Sequence, residues 1–139
     1  MPAPLFAEDE YTVWFDEDRN LVRAVWHGVV DKDTILLYYE RLQPILDRQG
    51  KVLYFNDFSK LEDFTISARW VAAQRLKTQR QFILKSAICG TKPTVRWLYN
   101  HLNRLTGRSD VVMFDTADEA LNWLLDETTV PPPTSEPQE

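Results

Sequence analysis

Cys89 is the single thiol of the chain and stands at the end of an apolar run, immediately before Gly90-Thr91-Lys92-Pro93-Thr94. Two chemistries compete there. A thiol closing an apolar strand is an inert, buried group. The same thiol beside a helix N-terminus and Lys92 would have a lowered pKa and act as a nucleophile. Gly90, Thr91, Lys92 and Thr94 also suit a simple anion site, in which free helix N–H groups and a cation meet a negative ligand; Arg69 and Arg96 could join it. The string lacks the Gly-x-x-x-x-Gly-Lys spacing that wraps a nucleotide phosphate, so an NTPase is excluded. His27 and His101 have no second His or Cys at ligand spacing, so no metal is expected, and no cofactor motif is present. No Ser-His-Asp arrangement suggests itself. The expectation is a protein that binds rather than catalyses, with Cys89 as the residual route to an enzyme.

Charge supplies the most unusual pattern. The 139 residues carry a net charge of -5, but unevenly. Residues 1–63 hold 7 basic and 13 acidic groups; residues 64–109 hold 9 basic groups and no acid; residues 110–139 hold 8 acids and no Lys or Arg. The central block (Arg69, Arg75, Lys77, Arg80, Lys85, Lys92, Arg96, Arg104, Arg108) allows three readings. It binds a lipid headgroup or other anionic ligand, it meets an acidic surface on a partner or a second copy, or acids elsewhere in the fold balance it. Nucleic acid is not expected, because the acidic remainder repels phosphates. No segment is long and apolar enough to span a membrane. The start lacks a signal-peptide pattern, and with one unpaired thiol a cytoplasmic protein is expected.

These residues need a frame. Tyr11–Phe15 and Leu21–Val30 are rich in β-branched and aromatic residues around the polar turn Asp16–Asn20, which predicts an antiparallel hairpin. Apolar positions from Ile35 to Leu46 recur at helical spacing, with Asp31 or Asp33 as cap, a kink or early stop at Pro44, and Gly50 as terminator. Val52–Phe55 predicts a central strand and Asn56–Thr65 a polar loop. A second helix over Ser67–Gln81 carries a narrow apolar stripe of Trp70, Val71, Ala73 and Leu76. Leu84–Cys89 predicts a strand, 91–107 a third helix, and Val111–Phe114 the last strand. A capping box at Thr116–Glu119 opens a fourth helix. The order is β-β-α-β-α-β-α-β-α. That is an α/β fold with a mixed five-stranded sheet, an opening antiparallel hairpin followed by parallel strands, and four helices. Residues 1–10 are expected to form a flexible lead-in, 11–127 the domain, and 128–139 a disordered Pro-rich acidic tail.

This order, with the strings Trp26–Asp31, Tyr54–Ser59 and Phe114–Leu124, resembles the STAS domain of the anti-sigma factor antagonist type, with its uncharacterised bacterial relatives and the CRAL-TRIO lipid-transfer fold. The resemblance covers residues 11–125. It implies a regulatory module acting through protein contacts, with self-association as a homodimer, and, as the alternative, a carrier or sensor of a lipid-like or anionic ligand in an apolar pocket between helices and sheet. STAS regulators carry a phosphorylatable Ser in an Asp-Ser-Ser-Gly turn before the second helix. By position that turn falls on Thr65-Ile66-Ser67-Ala68, and the phosphorylated position falls on Ile66. Asp57, Ser59 and Ser67 are the candidate switch-loop residues. Ser67 reads equally as an ordinary helix cap.

Overall fold

The computed structural model describes residues 4–93, 96 and 111–126. Six strands form one sheet in sequential order: β1 (Phe6–Glu8), β2 (Tyr11–Asp16), β3 (Leu21–Val30), β4 (Val52–Phe64), β5 (Ile83–Cys89) and β6 (Val111–Phe114). β1, β2 and β3 pair antiparallel, and β3 to β6 pair parallel. Three described helices pack on the sheet: α1 (Lys32–Gln49), α2 (Ile66–Gln79) and α3 (Ala117–Leu125). Parallel strands that advance one way without reversal take right-handed crossovers on one face, so α1 and α2 share a side. There they cover a large core that includes Tyr11, Trp26, Tyr38, Leu42, Phe58 and Phe64. The other face carries a second core, in which Ala120 and Leu124 of α3 meet Leu21, Phe55, Ala87 and Cys89.

The hairpin turn works as its composition predicts. The Asp16 carboxylate accepts from the Arg19 backbone and guanidinium, and Asn20 takes a positive φ of 55°. Asn20 then pins the turn to the next strand, donating to the Lys51 carbonyl at 2.8 Å and accepting from Leu53 N–H at 2.9 Å. Asp31 caps α1 through Thr34 N–H, and Gly50 closes it. Pro44 does not stop that helix, which runs on to Gln49.

Three elements depart from the sequence expectation. Phe6–Glu8, inside the expected lead-in, is a strand. Phe6 packs edge-on against Tyr11 at 5.8 Å, and Glu8 pairs with Arg41 of α1 at 2.8 Å. The polar run 56–64 is not a loop but the second half of a 13-residue strand. Two register shifts against β3 change which residues face inward, so Phe58, Leu61 and Phe64 are buried at intervals of three rather than two. Beyond Asp57 this half has β3 as its only partner strand among the described residues, which leaves its polar side chains a solvated edge. Finally, Trp70 is not core. α2 buries Ala68 and Gln79, and Trp70 is 71% exposed. The third helix and the tail lie outside the described residues, apart from a helical bond from Arg96 N–H to the Lys92 carbonyl at 2.9 Å.

The ends of β4 and β5 meet at one tight point. Gly90 adopts a φ of 75°, and a Cβ there would stand 2.7 Å from Cα and N of Ser59. Gly28 also has a positive φ, but a Cβ there would meet nothing within 4 Å. Gly28→Ala is therefore expected to cost only the left-handed penalty of about 1–2 kcal/mol. Gly90→Ala adds a backbone clash and is expected to cost more than ~3 kcal/mol. Urea denaturation of the two variants measures the gap; equal midpoints would remove the close-approach account.

Candidate functional site

The described site residues expected from the sequence lie along the second half of β4, at the start of α2 and just beyond the C-terminal end of β5, the side of a parallel sheet where ligands are met. Asp57 lies opposite Cys89 in the β4–β5 register. Its carboxylate accepts from Ser59 N–H at 2.9 Å, an Asx turn at the first bulge of β4. Gly90 closes onto that turn. The Asp57–Ser59 turn and the Gly90 corner are thus one structural unit, although Ser59 and Gly90 are 31 positions apart.

The chemistry of Cys89 is decided by its surroundings. The thiol is buried and unpaired. Burial pushes its pKa up to about 12, and the charge and hydrogen bond of the Asp57 carboxylate push the same way, against a smaller lowering by Arg23. A neighbouring acid is the opposite of what activates a thiolate. These surroundings favour the inert reading of the thiol over the nucleophilic one.

Among the described residues the acid-free block does not make one positive face. Arg69 pairs with Asp63 at 2.9 Å and donates to the Phe64 carbonyl, tying the start of α2 to the end of β4. Arg75 lies over the Tyr39 ring at 5.8 Å. Lys85 is buried, donates to the Trp123 and Asp126 carbonyls at 2.9 and 3.1 Å, and lies over the Trp123 ring. It serves the C-terminal end of α3, where a cation is electrostatically favoured. Lys92 donates to the Glu62 carbonyl at 3.3 Å. Arg96 pairs with Asp115 at 3.3 Å and reaches the Thr91 hydroxyl at 3.4 Å. The cations proposed for an anion site are thus spent on acids, carbonyls and rings of the same chain. Lys77 and Arg80, on exposed positions at the end of α2, form no ion pair among the described residues. Thr94, Arg104 and Arg108 lie outside the described residues.

The N-terminus of α2 carries what sequence reasoning missed. Thr65, not Ser67, is the cap, accepting from Ala68 N–H at 3.1 Å. Ser67 is exposed, and its hydroxyl lies 3.3 Å from that of Thr65. Ile66 and Trp70, one turn apart, are 72% and 71% exposed, and the exposed stripe continues through Gln74 to Lys77. The signal was present in the narrowness of the apolar stripe: a helix with few inward apolar positions cannot bury every large side chain. Under α2, aromatic side chains from α1 and the sheet surround a cavity of about 60 Å³.

Two measurements follow from these groups. Native Cys89 is expected to react with a neutral thiol reagent at pH 7.5 at least ~100-fold more slowly than in urea, because the thiolate fraction falls tenfold per pKa unit. Rapid native labelling would contradict this. Tyr39, like Cys89, is held up to about 12 by burial, and Tyr54 is raised for the same reason. Groups whose folded pKa is raised lend stability that is whole below their unfolded values, 9.0 for Cys and 10.0 for Tyr, and is lost as pH climbs toward 12. Urea midpoints are expected to fall across that window; a flat profile would contradict it.

Among the described residues no helix is long and apolar enough to cross a membrane. A search of curated proteins found no match. Two solved structures share the fold. One is an uncharacterized protein of the DUF3478 family with a SpoIIAA-like fold from Shewanella loihica PV-4. It is 16% identical, with 86% of this chain and 98% of that chain covered and a TM-score of 0.61. The other is the anti-sigma factor antagonist SpoIIAA in its unphosphorylated form, 15% identical, with 81% and 94% covered and a TM-score of 0.58. The SpoIIAA-like family model matches residues 21–125, from the start of β3 to the end of α3, and the chain belongs to that SpoIIAA-like, STAS-type family.

Proposed function

We propose that this domain is a non-enzymatic regulatory module that binds a protein partner through the N-terminal half of α2. The observation that carries the reading is the exposure of Ile66 and Trp70 on adjacent turns of one helix face. Exposed large apolar side chains that cluster mark interaction surfaces, and Trp is the residue most often found at their energetic centres. Behind that face, the Arg69–Asp63 pair and the Thr65 cap hold the helix start in place, and the Asp57–Ser59 turn, buttressed by Gly90, supports the end of β4. One structural relative is an anti-sigma factor antagonist, a protein whose name describes work by protein contact.

The position that carries the phosphorylated Ser in STAS regulators is Ile66 here. An isoleucine cannot be phosphorylated, so the face is constitutively apolar, and a kinase-controlled switch at that position is not part of the proposal. Ser67 is the nearest exposed hydroxyl. The alternative reading, a carrier of a lipid-like or anionic ligand, has less support. Arg69, Lys92 and Arg96 are already engaged, and a cavity of about 60 Å³ is far below the roughly 300–1,000 Å³ of pockets that bury a drug-sized ligand. A second copy of the chain is one candidate partner.

Ile66→Asp with Trp70→Ala tests the proposal. Both side chains are exposed, so each change is expected to move folding stability by no more than about 0.5 kcal/mol. Binding energy at the centre of an interface is larger, about 2 kcal/mol or roughly 30-fold in affinity for such a Trp. Crosslinking in cells followed by affinity capture should recover a partner with the wild-type chain and lose it with the variant. Sedimentation across concentration tells whether that partner is a second copy. Identical capture by both chains would overturn the reading.

A further inference from the structure

The cavity beneath α2 has walls of two kinds. Most are apolar: rings from Trp26, Tyr38 and Phe64 among others, with aliphatic side chains from the sheet. Gln79 and Tyr54 also line it, and each carries a buried polar atom without a hydrogen-bond partner. Gln79, 5% exposed at the end of α2, has no hydrogen-bond partner for Oε1. Tyr54, 7% exposed on β4, has none for its hydroxyl. Buried polar atoms are almost always paired, because each unpaired one forfeits a hydrogen bond it makes in water. Two on one small cavity, from different elements, describe a place prepared for something that brings its own donor and acceptor.

We propose that this cavity is a binding site for a small neutral molecule with an apolar ring or chain and a hydroxyl group at one end. A hydroxyl answers both orphan atoms at once, donating to the Gln79 carbonyl oxygen and accepting from the Tyr54 hydroxyl. The ligand is neutral because no Asp, Glu, Lys, Arg or His among the described residues lines the cavity, and Tyr54 keeps its proton. A charge placed there would lose its hydration with nothing to compensate. Size sets the pose. The enclosed volume is about 60 Å³. A cavity of about 150 Å³ is needed to enclose a benzene ring. The core therefore takes the hydroxyl end, and the apolar body lies outward against the half-buried Tyr39, Ala72 and Ile83. The site is separate from the exposed face of Ile66 and Trp70, so either reading can fail without the other.

Phenol, toluene and benzoate distinguish the terms, with binding followed by protein amide shifts in NMR at pH 7. Phenol is expected to bind saturably and at least about 10-fold more tightly than toluene, because a site built to pair a hydroxyl rejects the analogue lacking it. Benzoate, charged at that pH, is expected not to bind. Gln79→Leu should bring the phenol-to-toluene ratio to within about 2-fold, and Tyr54→Phe should lower it by several-fold. Gln79→Leu removes an unpaired buried acceptor, so its melting temperature should not fall below the wild-type value. The double variant at Ile66 and Trp70 should bind phenol unchanged. Absence of saturable phenol binding, which would leave water as the only occupant, overturns the proposal. So does a phenol-to-toluene ratio unmoved by Gln79→Leu, or benzoate binding as tightly as phenol.

Discussion

The indole N–H of Trp26 donates to the Asn56 side-chain oxygen at 3.0 Å, and much of the domain is arranged around that bond. Trp26 is the hub of the aromatic core. Its ring meets Tyr38 at 4.8 Å and Tyr11 at 5.4 Å, and touches Phe58 and Phe64 at 6.4 Å. An indole that deep must find an acceptor for its N–H or lose the hydrogen bond it had in water. Asn56 supplies it from the neighbouring strand. The bond joins β3 to β4 through side chains as well as backbone, and it places a polar residue inward at the point where β4 leaves its continuous apolar run. Tyr38 brings α1 onto the same hub, and Phe6 brings β1 through Tyr38 at 6.4 Å. A three-residue strand that would be marginal alone is held because its one large side chain joins this cluster.

How much of this was legible depended on whether each element keeps a simple period. The β2–β3 hairpin alternates and is flanked by Asp16–Asn20, so pattern and turn chemistry agree. α1 repeats every three to four residues from Ile35 to Leu46. The second half of β4 follows neither rule: two bulges space its buried residues Phe58, Leu61 and Phe64 by three, and the intervening Ser59, Lys60 and Glu62 read as a loop. Phe6–Glu8 is too short to show a period. Trp70 misleads in the opposite sense, because a large aromatic in a helix is read as core unless the rest of the stripe is counted. Nothing in the local sequence marks Gly90 as the residue that meets Ser59. That contact joins two segments 31 positions apart, and only the β4–β5 register creates it. The approach to an anion site around Lys92 was legible as residue types, but not the fact that carbonyls and acids of the same chain had taken those cations.

Charge along the chain is likewise a poor guide to charge in space. The acid-free block spans α2 and β5, and the acids that answer it come from both sides of it in sequence: Asp63 on Arg69, Asp115 on Arg96. Lys85 meets the carbonyl end of α3, a partner that a count of Asp and Glu never includes. The segregation in sequence thus becomes a means of stitching. Positive residues in the middle of the chain meet negative groups from its flanks: Arg69 ties α2 to β4, Lys85 ties β5 to α3, and Arg96 meets Asp115 just after β6. Exposed pairs of this kind contribute little stability individually. Their effect is positional: the Arg69–Asp63 contact fixes where α2 begins and so which of its residues face out.

That placement gives α2 two unlike sides. Outward it presents Ile66 and Trp70; inward it contributes Ala68 to the core and Gln79 to the cavity. Among the described residues its fully buried apolar side chain is Ala68, and Val71 packs against the same core. A molecule lying against its inner side and a protein lying against its outer side would act on the same element. If either prefers one position of α2, each must alter the affinity of the other by the same factor.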